Sequence, residues 1–267
     1  MKKSSIPLAV ITAALLIFSG CTAVSSKNDS SGSSAETTSA STTVTEPESI
    51  QRRIYDYDPD KPVIALTFDD GPNLVTTPQV LAMLEKYDAV GSFFLIGSNI
   101  TEENSSIVRK AYEMGCDIEN HSLTHQNFTS ATVSDFTAEV EETDKLITDI
   151  IGETPRFFRA PYLAANTDMY ENTDKCFISG FGCNDWDPAV TVEQRIDSVL
   201  DQAADGAIIL LHDAQGNQST VEALDTIIPE LQKQGYQLVT ISQLFEAKGT
   251  DPSDEIYKYR QLSSVFY

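Results

Sequence analysis

The stretch VIALTFDDGPNLVTTPQVL (residues 63–81) joins an apolar run to a helical pattern through two adjacent acids. The run 63–68 is rich in β-branched and aromatic side chains, as in a strand that is buried in a sheet. Asp69 and Asp70 follow it directly, and the turn-favouring pair Gly71-Pro72 comes next. Taken alone, this stretch indicates a strand that leaves a core through a turn. Whether the acids do more depends on what the rest of the chain places beside them.

Strand and helix patterns alternate along the chain from residue 62 onward. The predicted strands are short apolar runs at 63–68, 92–96, 116–119, 156–159, 176–181, 207–212 and 236–241. The helices between them are bounded by cap and stop residues: Thr77 with Pro78, Gly115, Ser134, Gly152, Thr191, a capping box of Ser219 and Glu222, and Gly235. Seven apolar strands that alternate with helices predict an α/β fold with parallel strands, either a doubly wound sheet or a barrel.

Polar side chains stand where the predicted strands end. They lie at 69–70 (DD), 120–121 (NH), 159–162 (RAPY), 184–187 (NDWD) and 212–213 (HD). The chain contains three histidines, two of them in these clusters and the third at His125, four residues after His121. Because (β/α) barrels carry their active sites at the C-terminal ends of the strands, these side chains are candidates for one site.

The motif HSLTH spaces two imidazoles for one metal ion. His121 and His125 stand four residues apart, although such a pair also occurs on surface helices and turns. One carboxylate would complete three protein ligands, the number found in catalytic zinc sites. Asp69 and Asp70 are both candidates, and since successive strand residues point to opposite faces, we expect them to do different jobs. One acid is predicted to bind the metal, and the other to act as a base beside it.

Five motifs together resemble one enzyme family. The polysaccharide deacetylases, which are the NodB-homology enzymes of carbohydrate esterase family 4, carry similar motifs in the same order and strand positions: TFDDGP (67–72), HSLTH (121–125), RAPY (159–162), DW (185–186) and LLH (210–212). The resemblance covers roughly residues 62–247. It implies a distorted (β/α)7 barrel of the NodB-homology type.

The resemblance also implies a role for each matching residue. The implied ligands of one divalent ion, zinc or alternatively cobalt, nickel or manganese, are Asp70, His121 and His125. The other implied roles are Asp69 as general base, Arg159 to orient it, Asp185 to support that pair, the Tyr162 backbone N–H for the oxyanion, Trp186 and Leu210 around the acetyl methyl, and His212 as general acid. This set fits hydrolysis of an N-acetyl group, because the leaving amine needs a proton.

Without the resemblance, three of these side chains have ordinary structural explanations. Arg159 fits an ion pair, Trp186 a packed core side chain, and Tyr162 a residue at a rim. Two positions also depart from the family pattern. Leu163 follows RAPY where glycine is common, and Gly182 takes the first aspartate position of the DxxDW motif. We therefore expect an altered groove wall.

The N-terminus has the features of an export signal. Lys2 and Lys3 precede the mostly apolar run 6–18, and the small residues before Cys21 resemble the lipobox of bacterial lipoproteins. We predict a signal peptide at 1–20 and a lipid anchor on Cys21, which would place the protein outside the cytoplasm on the bacterial cell membrane. An ordinary secreted protein and an uncleaved signal anchor are the alternatives.

Composition divides the remaining chain and limits its partners. A linker rich in Ser and Thr is predicted at 21–55, the deacetylase domain at 56–250 and a tail at 251–267. A net charge of −22 argues against a nucleic-acid partner, which would need clustered Lys and Arg. Cys176 and Cys183 would lie about 23 Å apart on an extended strand, so no disulfide is predicted between them. We expect a monomer.

The sequence thus predicts metal-dependent hydrolysis of N-acetyl groups on a cell-wall or environmental polysaccharide, such as peptidoglycan or a chitin-like polymer of N-acetylglucosamine. One alternative is an O-deacetylase of acetyl-xylan. Another is a carbohydrate-binding lipoprotein without turnover, which would be expected to lack a ligand, the base or the acid. A solute-binding lipoprotein would instead show two similar lobes.

Overall fold

The computed structural model describes residues 50–258 and 260–265. The predicted signal peptide at 1–20, the lipidated Cys21 and most of the linker lie outside these residues and stay predictions. Within the described part of the chain, no helix combines the length and the apolar composition that crossing a membrane requires.

In the described residues, eight strands alternate with seven α-helices. The strands are β1 Val63–Asp69, β2 Ser92–Leu95, β3 Asp117–Asn120, β4 Phe157–Phe158, β5 Cys176–Phe177, β6 Phe181–Gly182, β7 Ile208–His212 and β8 Gln237–Val239. The helices are α1 Thr76–Lys86, α2 Ser105–Glu113, α3 Val133–Ile151, α4 Thr167–Glu171, α5 Val192–Asp201, α6 Gln218–Lys233 and α7 Ile241–Ala247.

The strands form one parallel sheet that curls into a distorted barrel. Their order is β5-β4-β3-β2-β1-β7-β6, and β8 pairs with the first residues of β1. The pairings of the named strands are parallel. Strands that pair in parallel need long crossover connections, which are mostly helical here. The predicted (β/α)7 barrel is confirmed.

The register of the sheet gathers the predicted site residues at one end. Asp69, the last residue of β1, stands level with His212, the last residue of β7. His121 directly follows β3 and Arg159 directly follows β4, at the point where these two strands pair. Parallel strands end at the same edge of a sheet, so side chains far apart in sequence meet there.

Side chains of β1 alternate between two apolar cores, as the pleat of a strand requires. Ile64, Leu66 and Phe68 belong to the core between the sheet and the helices. Val63 and Ala65 belong to the core inside the barrel. Each fully buried large side chain stabilises the fold by about 1.5–3 kcal/mol. Every second side chain of β1, beginning with Val63, points into the barrel. This alternation continues to Asp69, the last residue of the strand, and brings its carboxylate to the mouth of the barrel.

The prediction of one strand at 176–181 was wrong, because two short strands replace it. β5 pairs with β4, whereas β6 pairs with β7 on the other side of the barrel. Gly180 lies between them with a φ of 125°, and a Cβ there would lie 2.9 Å from the Cβ of Leu210. A glycine is therefore needed where the chain crosses from one strand to the other.

Three predicted helix starts also differ from the structure. α1 begins one residue before Thr77, whose hydroxyl instead donates to Asp213. α3 begins one residue before Ser134. α6 begins at Gln218 with no side-chain cap, so the capping box of Ser219 and Glu222 does not form. A cap residue must lie outside the helix, and each of these helices starts early enough to include its predicted cap.

Barrel contacts extend beyond residues 56–250 at both ends of the described chain. Arg52, in the predicted linker, donates from Nη2 to Asp117 Oδ1 at 2.5 Å. In the predicted tail, the side chains of Leu262 and Val265 are buried in the core inside the barrel. Both flanking segments therefore contribute to the fold.

The three cysteines in the described residues are buried, free thiols: Cys116, Cys176 and Cys183. Burial raises the pKa of each thiol to about 12. They stay protonated at neutral pH and act as small apolar side chains of the core.

Candidate active site

A cavity of about 560 Å³ opens at the C-terminal ends of the strands. Eight of the predicted site residues line it: Asp69, Asp70, His121, His125, Tyr162, Trp186, Leu210 and His212. The other two, Arg159 and Asp185, are buried and each hydrogen-bonds to a lining residue. The structure therefore brings the whole predicted set together.

Asp70, His121 and His125 form a cluster whose ligand atoms lie within 4.8 Å of one another. Asp70 Oδ1 is 3.5 Å from His121 Nε2 and 3.4 Å from His125 Nε2. Among the described residues, this oxygen is buried and receives no hydrogen bond. Leaving a buried carboxylate oxygen without a partner is costly, and a cation between the three side chains would satisfy it.

The protonation of the two histidines in this cluster favours binding of a cation through Nε2. His121 Nδ1 lies 2.7 Å from the carbonyl oxygen of Arg159. Because a carbonyl only accepts, Nδ1 carries the proton and Nε2 is left as a ligand. Burial and the neighbouring His121 lower the pKa of His125, which favours its neutral, ligating form. One carboxylate oxygen and two imidazole nitrogens fit zinc and other first-row divalent ions.

Backbone strain is concentrated at the same cluster. Asp70 and His125 have φ angles of 75° and 57°, in the left-handed region that non-glycine residues avoid. Such strain persists only where the surrounding structure holds it, and it is common at functional sites.

Asp69 and Arg159 form a buried ion pair beside the cluster. Arg159 Nη1 donates to Asp69 Oδ1 at 2.5 Å, and neither side chain exposes more than 3% of its surface. The guanidinium lies 4.1 Å from the centre of the Phe94 ring. Asp69 Oδ2 lies 3.8 Å from His121 Nε2, so the second carboxylate oxygen faces the Asp-His-His cluster. The structure thus places Arg159 in direct contact with Asp69.

His212 and Asp185 form a second pair, with His212 Nδ1 lying 2.8 Å from Asp185 Oδ1. The prediction that Asp185 supports Asp69 and Arg159 was wrong, because its carboxylate binds His212 instead. Burial pulls the pKa of His212 down, but the hydrogen bond and charge of Asp185, with the charges of Asp69 and Asp70, outweigh burial and raise it to about 9. His212 is therefore protonated at neutral pH.

Two residues that hold Asp185 were missed by sequence reasoning. Thr220 Oγ1 donates to Asp185 Oδ2 at 2.8 Å, and Asn217 Nδ2 donates to it at 3.3 Å. The backbone N–H of His212 donates to the same oxygen at 2.8 Å. The polar stretch 213–220 could have indicated these two residues. It leaves the end of β7 at the edge of the sheet where the site lies, so its side chains run beside the site.

The rim of the cavity is apolar and exposed. Tyr162, Leu163 and Trp186 expose 69%, 41% and 64% of their surfaces, so Trp186 is not a packed core residue. The Tyr162 ring packs edge-on against the His125 ring, with centroids 4.8 Å apart. Tyr162 lies in the 3-10 turn Pro161–Leu163, and the first N–H groups of a helical turn have no acceptor inside it. Its N–H can therefore serve an oxyanion.

Asp213 is a further buried carboxyl, to which the sequence motifs assigned no role. Burial raises its pKa to about 7, although the hydroxyl of Thr77 donates to it. The N–H of Asp213 donates to the carbonyl oxygen of Asp69 at 3.0 Å. A Cβ on Gly71 would lie 2.5 Å from Asp213 Oδ2. Asp213 therefore packs behind the loop that carries Asp69 and Asp70.

The structure is a parallel barrel with one cavity at its mouth. An Asp-His-His cluster, a buried Asp-Arg pair and a buried His-Asp pair surround this cavity. This arrangement agrees with the sequence motifs. The family profile described as polysaccharide deacetylase matches residues 56–178. A family 4 acetyl xylan esterase from Clostridium thermocellum, solved in complex with a cobalt ion, is 38% identical, with a TM-score of 0.72 over 76% of this chain and 98% of that one. This chain belongs to the polysaccharide deacetylase family, carbohydrate esterase family 4.

Two curated relatives are longer proteins. A bifunctional xylanase/deacetylase of Pseudobutyrivibrio xylanivorans is 47% identical over 203 residues, which are 76% of this chain and 33% of that protein. The peptidoglycan-N-acetylmuramic acid deacetylase PdaC of Bacillus subtilis is 37% identical over 193 residues, which are 72% of this chain and 40% of that protein. The chain thus spans well under half the length of either relative.

Proposed function

We propose that this chain is a metal-dependent hydrolase that removes acetyl groups from a polysaccharide. The observation that carries the proposal is that one cavity joins a three-ligand cluster, a carboxylate held by arginine and a histidine held in its charged form. A carbohydrate-binding protein without turnover would not need all three. Binding of a small solute between two lobes is not supported either, since the described residues build one barrel.

The side chains of this cavity divide the proton transfers between them. Asp69 takes a proton from the attacking water at Oδ2, while Arg159 holds Oδ1. The Tyr162 N–H donates to the carbonyl oxygen as that oxygen becomes negative. His212 gives its proton to the leaving group from Nε2, because Nδ1 is held by Asp185.

Asp70, His121 and His125 are the residues that would hold the metal ion. When bound, a divalent ion supplies Lewis-acid activation of the water and of the substrate carbonyl. Zinc is the ion we propose, although cobalt, nickel and manganese accept the same donors. The cobalt complex of the Clostridium thermocellum esterase supports a divalent ion in this fold.

We propose N-acetyl groups of N-acetylglucosamine polymers, in peptidoglycan or a chitin-like chain, as the substrate. An amine leaves only after it has gained a proton, and His212 is charged at neutral pH to supply it. Similarity to PdaC, a peptidoglycan-N-acetylmuramic acid deacetylase, supports N-acetyl groups of peptidoglycan as the class of substrate. Acetyl-xylan is the second candidate, which the likeness to the xylanase/deacetylase and to the acetyl xylan esterase supports.

One experiment separates the two substrates. The full chain, purified in mild detergent, is given N-acetylglucosamine oligomers, peptidoglycan and acetyl-xylan in parallel, and released acetate is measured. Faster release from the first two supports the N-acetyl proposal. Release from acetyl-xylan alone supports the second candidate, and release from none of them contradicts the proposed function.

We also propose that the mature protein is a monomer anchored to the outer face of the cell membrane through acylated Cys21. The charged start, the apolar run 6–18 and the small residues before Cys21 support the anchor. Cell fractionation tests it: Cys21→Ala is expected to move the protein from the membrane fraction to a soluble form or to leave it unprocessed. An unchanged mass and distribution would contradict acylation.

A further inference from the structure

The C-terminal segment fills a gap in the barrel wall. Leu262 bonds to the chain at β5 on both sides of its peptide: its N–H donates to Phe177 O at 3.0 Å, and its carbonyl accepts from Ser179 N at 2.7 Å. On the other side of the gap, the carbonyl of Ser263 accepts from Ile208 N, in β7, at 3.0 Å. The segment thus lies between β5 and β7 and bonds to the chain at both, although these two strands do not pair with each other.

Packing fixes the same segment in place. The side chains of Leu262 and Val265 expose 7% and 2% of their surfaces and lie in the core inside the barrel. Val265 N donates to Gly206 O at 2.9 Å, and a Cβ on Gly206 would approach the carbonyl oxygen of Val265 to 2.2 Å. Residue 261 is therefore attached to a well-anchored piece of chain.

Gln261 reaches from this anchor to the rim of the cavity. Its Nε2 donates to the carbonyl oxygen of Leu163 at 2.8 Å. Leu163 and Tyr162 are consecutive left-handed residues, with φ angles of 54° and 58°. Each costs roughly 1 kcal/mol or more relative to ordinary backbone, so neighbours must hold the turn in this shape.

The hydrogen bonds inside the turn do not reach the rest of the barrel. Leu163 N donates to Ala160 O and Ala164 N donates to Pro161 O, both inside the same loop. Pro161 is buried and the Tyr162 ring packs on the His125 ring, and among the described residues the side-chain hydrogen bond to the turn from outside the loop comes from Gln261. Gln261 is thus the hydrogen-bond donor that ties the turn to the C-terminal segment.

We propose that Gln261 is a positioning residue for the reaction. It holds the turn Pro161–Leu163 so that the Tyr162 N–H points into the cavity and the Leu163 side chain forms its wall. This inference rests on the proposed function, which gives that N–H its task. It adds to the site a residue of the C-terminal segment, which follows the last strand and helix of the barrel.

Three variants of the full chain test the proposal. Gln261→Met removes the donor at similar size, and we expect kcat for acetate release to fall about tenfold with KM changed less, because a displaced oxyanion donor acts in the transition state. Gln261→Lys supplies a new donor and is expected to recover part of the loss. Ser263→Ala is the matched control, since Ser263 contributes only its backbone to the described contacts with β7.

Hydrogen–deuterium exchange provides a readout that needs no substrate. Backbone amides in the peptide covering 160–165 are expected to exchange faster in Gln261→Met than in wild type and Ser263→Ala, with an unchanged melting temperature. If exchange there is the same in all variants, or if Gln261→Met and wild type have equal kcat, the proposal is overturned. If the wild-type chain releases no acetate, the proposed function is contradicted. The hydrogen–deuterium exchange result still decides in that case whether Gln261 holds the turn.

Discussion

Asp69 and Asp70 are neighbours in the chain that contact different partners. Asp69 is held by Arg159, whereas Asp70 meets the two histidines of the cluster. Strand alternation predicted that two adjacent acids would do different jobs. It did not predict the left-handed backbone of Asp70, which turns the carboxylate back towards His121 and His125.

The division of labour between these two acids can be measured. We expect Asp69→Asn to lower kcat/KM by about 10²–10⁴-fold, the range for loss of a general acid or base, while the bound metal is retained. Asp70→Asn is the control and is expected to lose metal as well as activity. Metal content by mass spectrometry, measured beside acetate release, distinguishes the two. Loss of metal from Asp69→Asn would show that Asp69 is a ligand.

We expect Asp185 to set the alkaline limit of activity through His212. A general acid works only while protonated, so activity is expected to fall as pH rises through the pKa of His212, which Asp185 helps to raise to about 9. Asp185→Asn removes that charge, and we expect the alkaline limb of the kcat profile to move to lower pH. The acid limb is expected to stay in place. An alkaline limb that does not move would contradict His212 as the acid.

Asp213 is expected to make stability depend on pH. The pKa of Asp213 is about 7 in the folded protein, against 3.8 for an unperturbed aspartate. Between pH 3.8 and pH 7 the folded state therefore binds more protons than the unfolded state. The free energy of unfolding consequently falls as pH rises through this range. Asp213→Asn is expected to remove this fall and to stabilise the metal-free protein at pH 8 by on the order of a few kcal/mol. The exposed Asp201→Asn is the control. Urea unfolding at pH 5 and pH 8 measures both, and parallel pH dependence in Asp213→Asn and wild type contradicts the prediction.

The candidate site residues could be picked out from residue types and spacing, whereas several of their partners depend on contacts that spacing does not record. The three candidate ligands and the Asp69–Arg159 pair lie in compact motifs at strand ends. The pair of His212 and Asp185 was missed because Asp185 was assigned to Asp69 and Arg159 instead. Asp185 comes from a different loop, and its approach depends on how β6 bends beside β7.

Elements with a strong apolar period were predictable, and those defined by tertiary contacts were not. The first strand and the long helix ending at Gly152 follow their patterns, and Gly152 has the left-handed φ of a helix stop. The split between β5 and β6 depends on the close approach of Gly180 to Leu210, which no local pattern encodes. The C-terminal segment was left without a role for the same reason, since its hydrogen bonds go to distant strands.

At the level of elements, this segment is expected to carry part of the stability of the barrel. Leu262→Ala removes a buried side chain from the interior core and is expected to lower the free energy of unfolding by about 2–5 kcal/mol. Ser263→Ala, next to it, is expected to change stability little. Urea unfolding of the two variants measures the difference. Equal stability of Leu262→Ala and wild type would show that the segment does not close the barrel.

At the scale of the described residues as a whole, the chain combines a barrel with an exposed, apolar rim at the cavity. Parallel strands bring residues from five segments of the chain to one edge, and the exposed Tyr162 and Trp186 flank the opening. Such a site admits a polymer at its surface while the reacting groups stay buried. The metal cluster and the base therefore lie at the centre of the proposed chemistry.

Acetate release before and after removal of metal is the most direct measurement of this central claim. The full chain is treated with a chelator, dialysed, and assayed on N-acetylglucosamine oligomers and acetyl-xylan, with and without one equivalent of zinc or cobalt. We expect release to disappear on chelation and to return with metal in wild type, and to stay absent in Asp69→Asn. Release that persists in the metal-free protein, or that Asp69→Asn retains, would contradict a metal-dependent mechanism with Asp69 as its base.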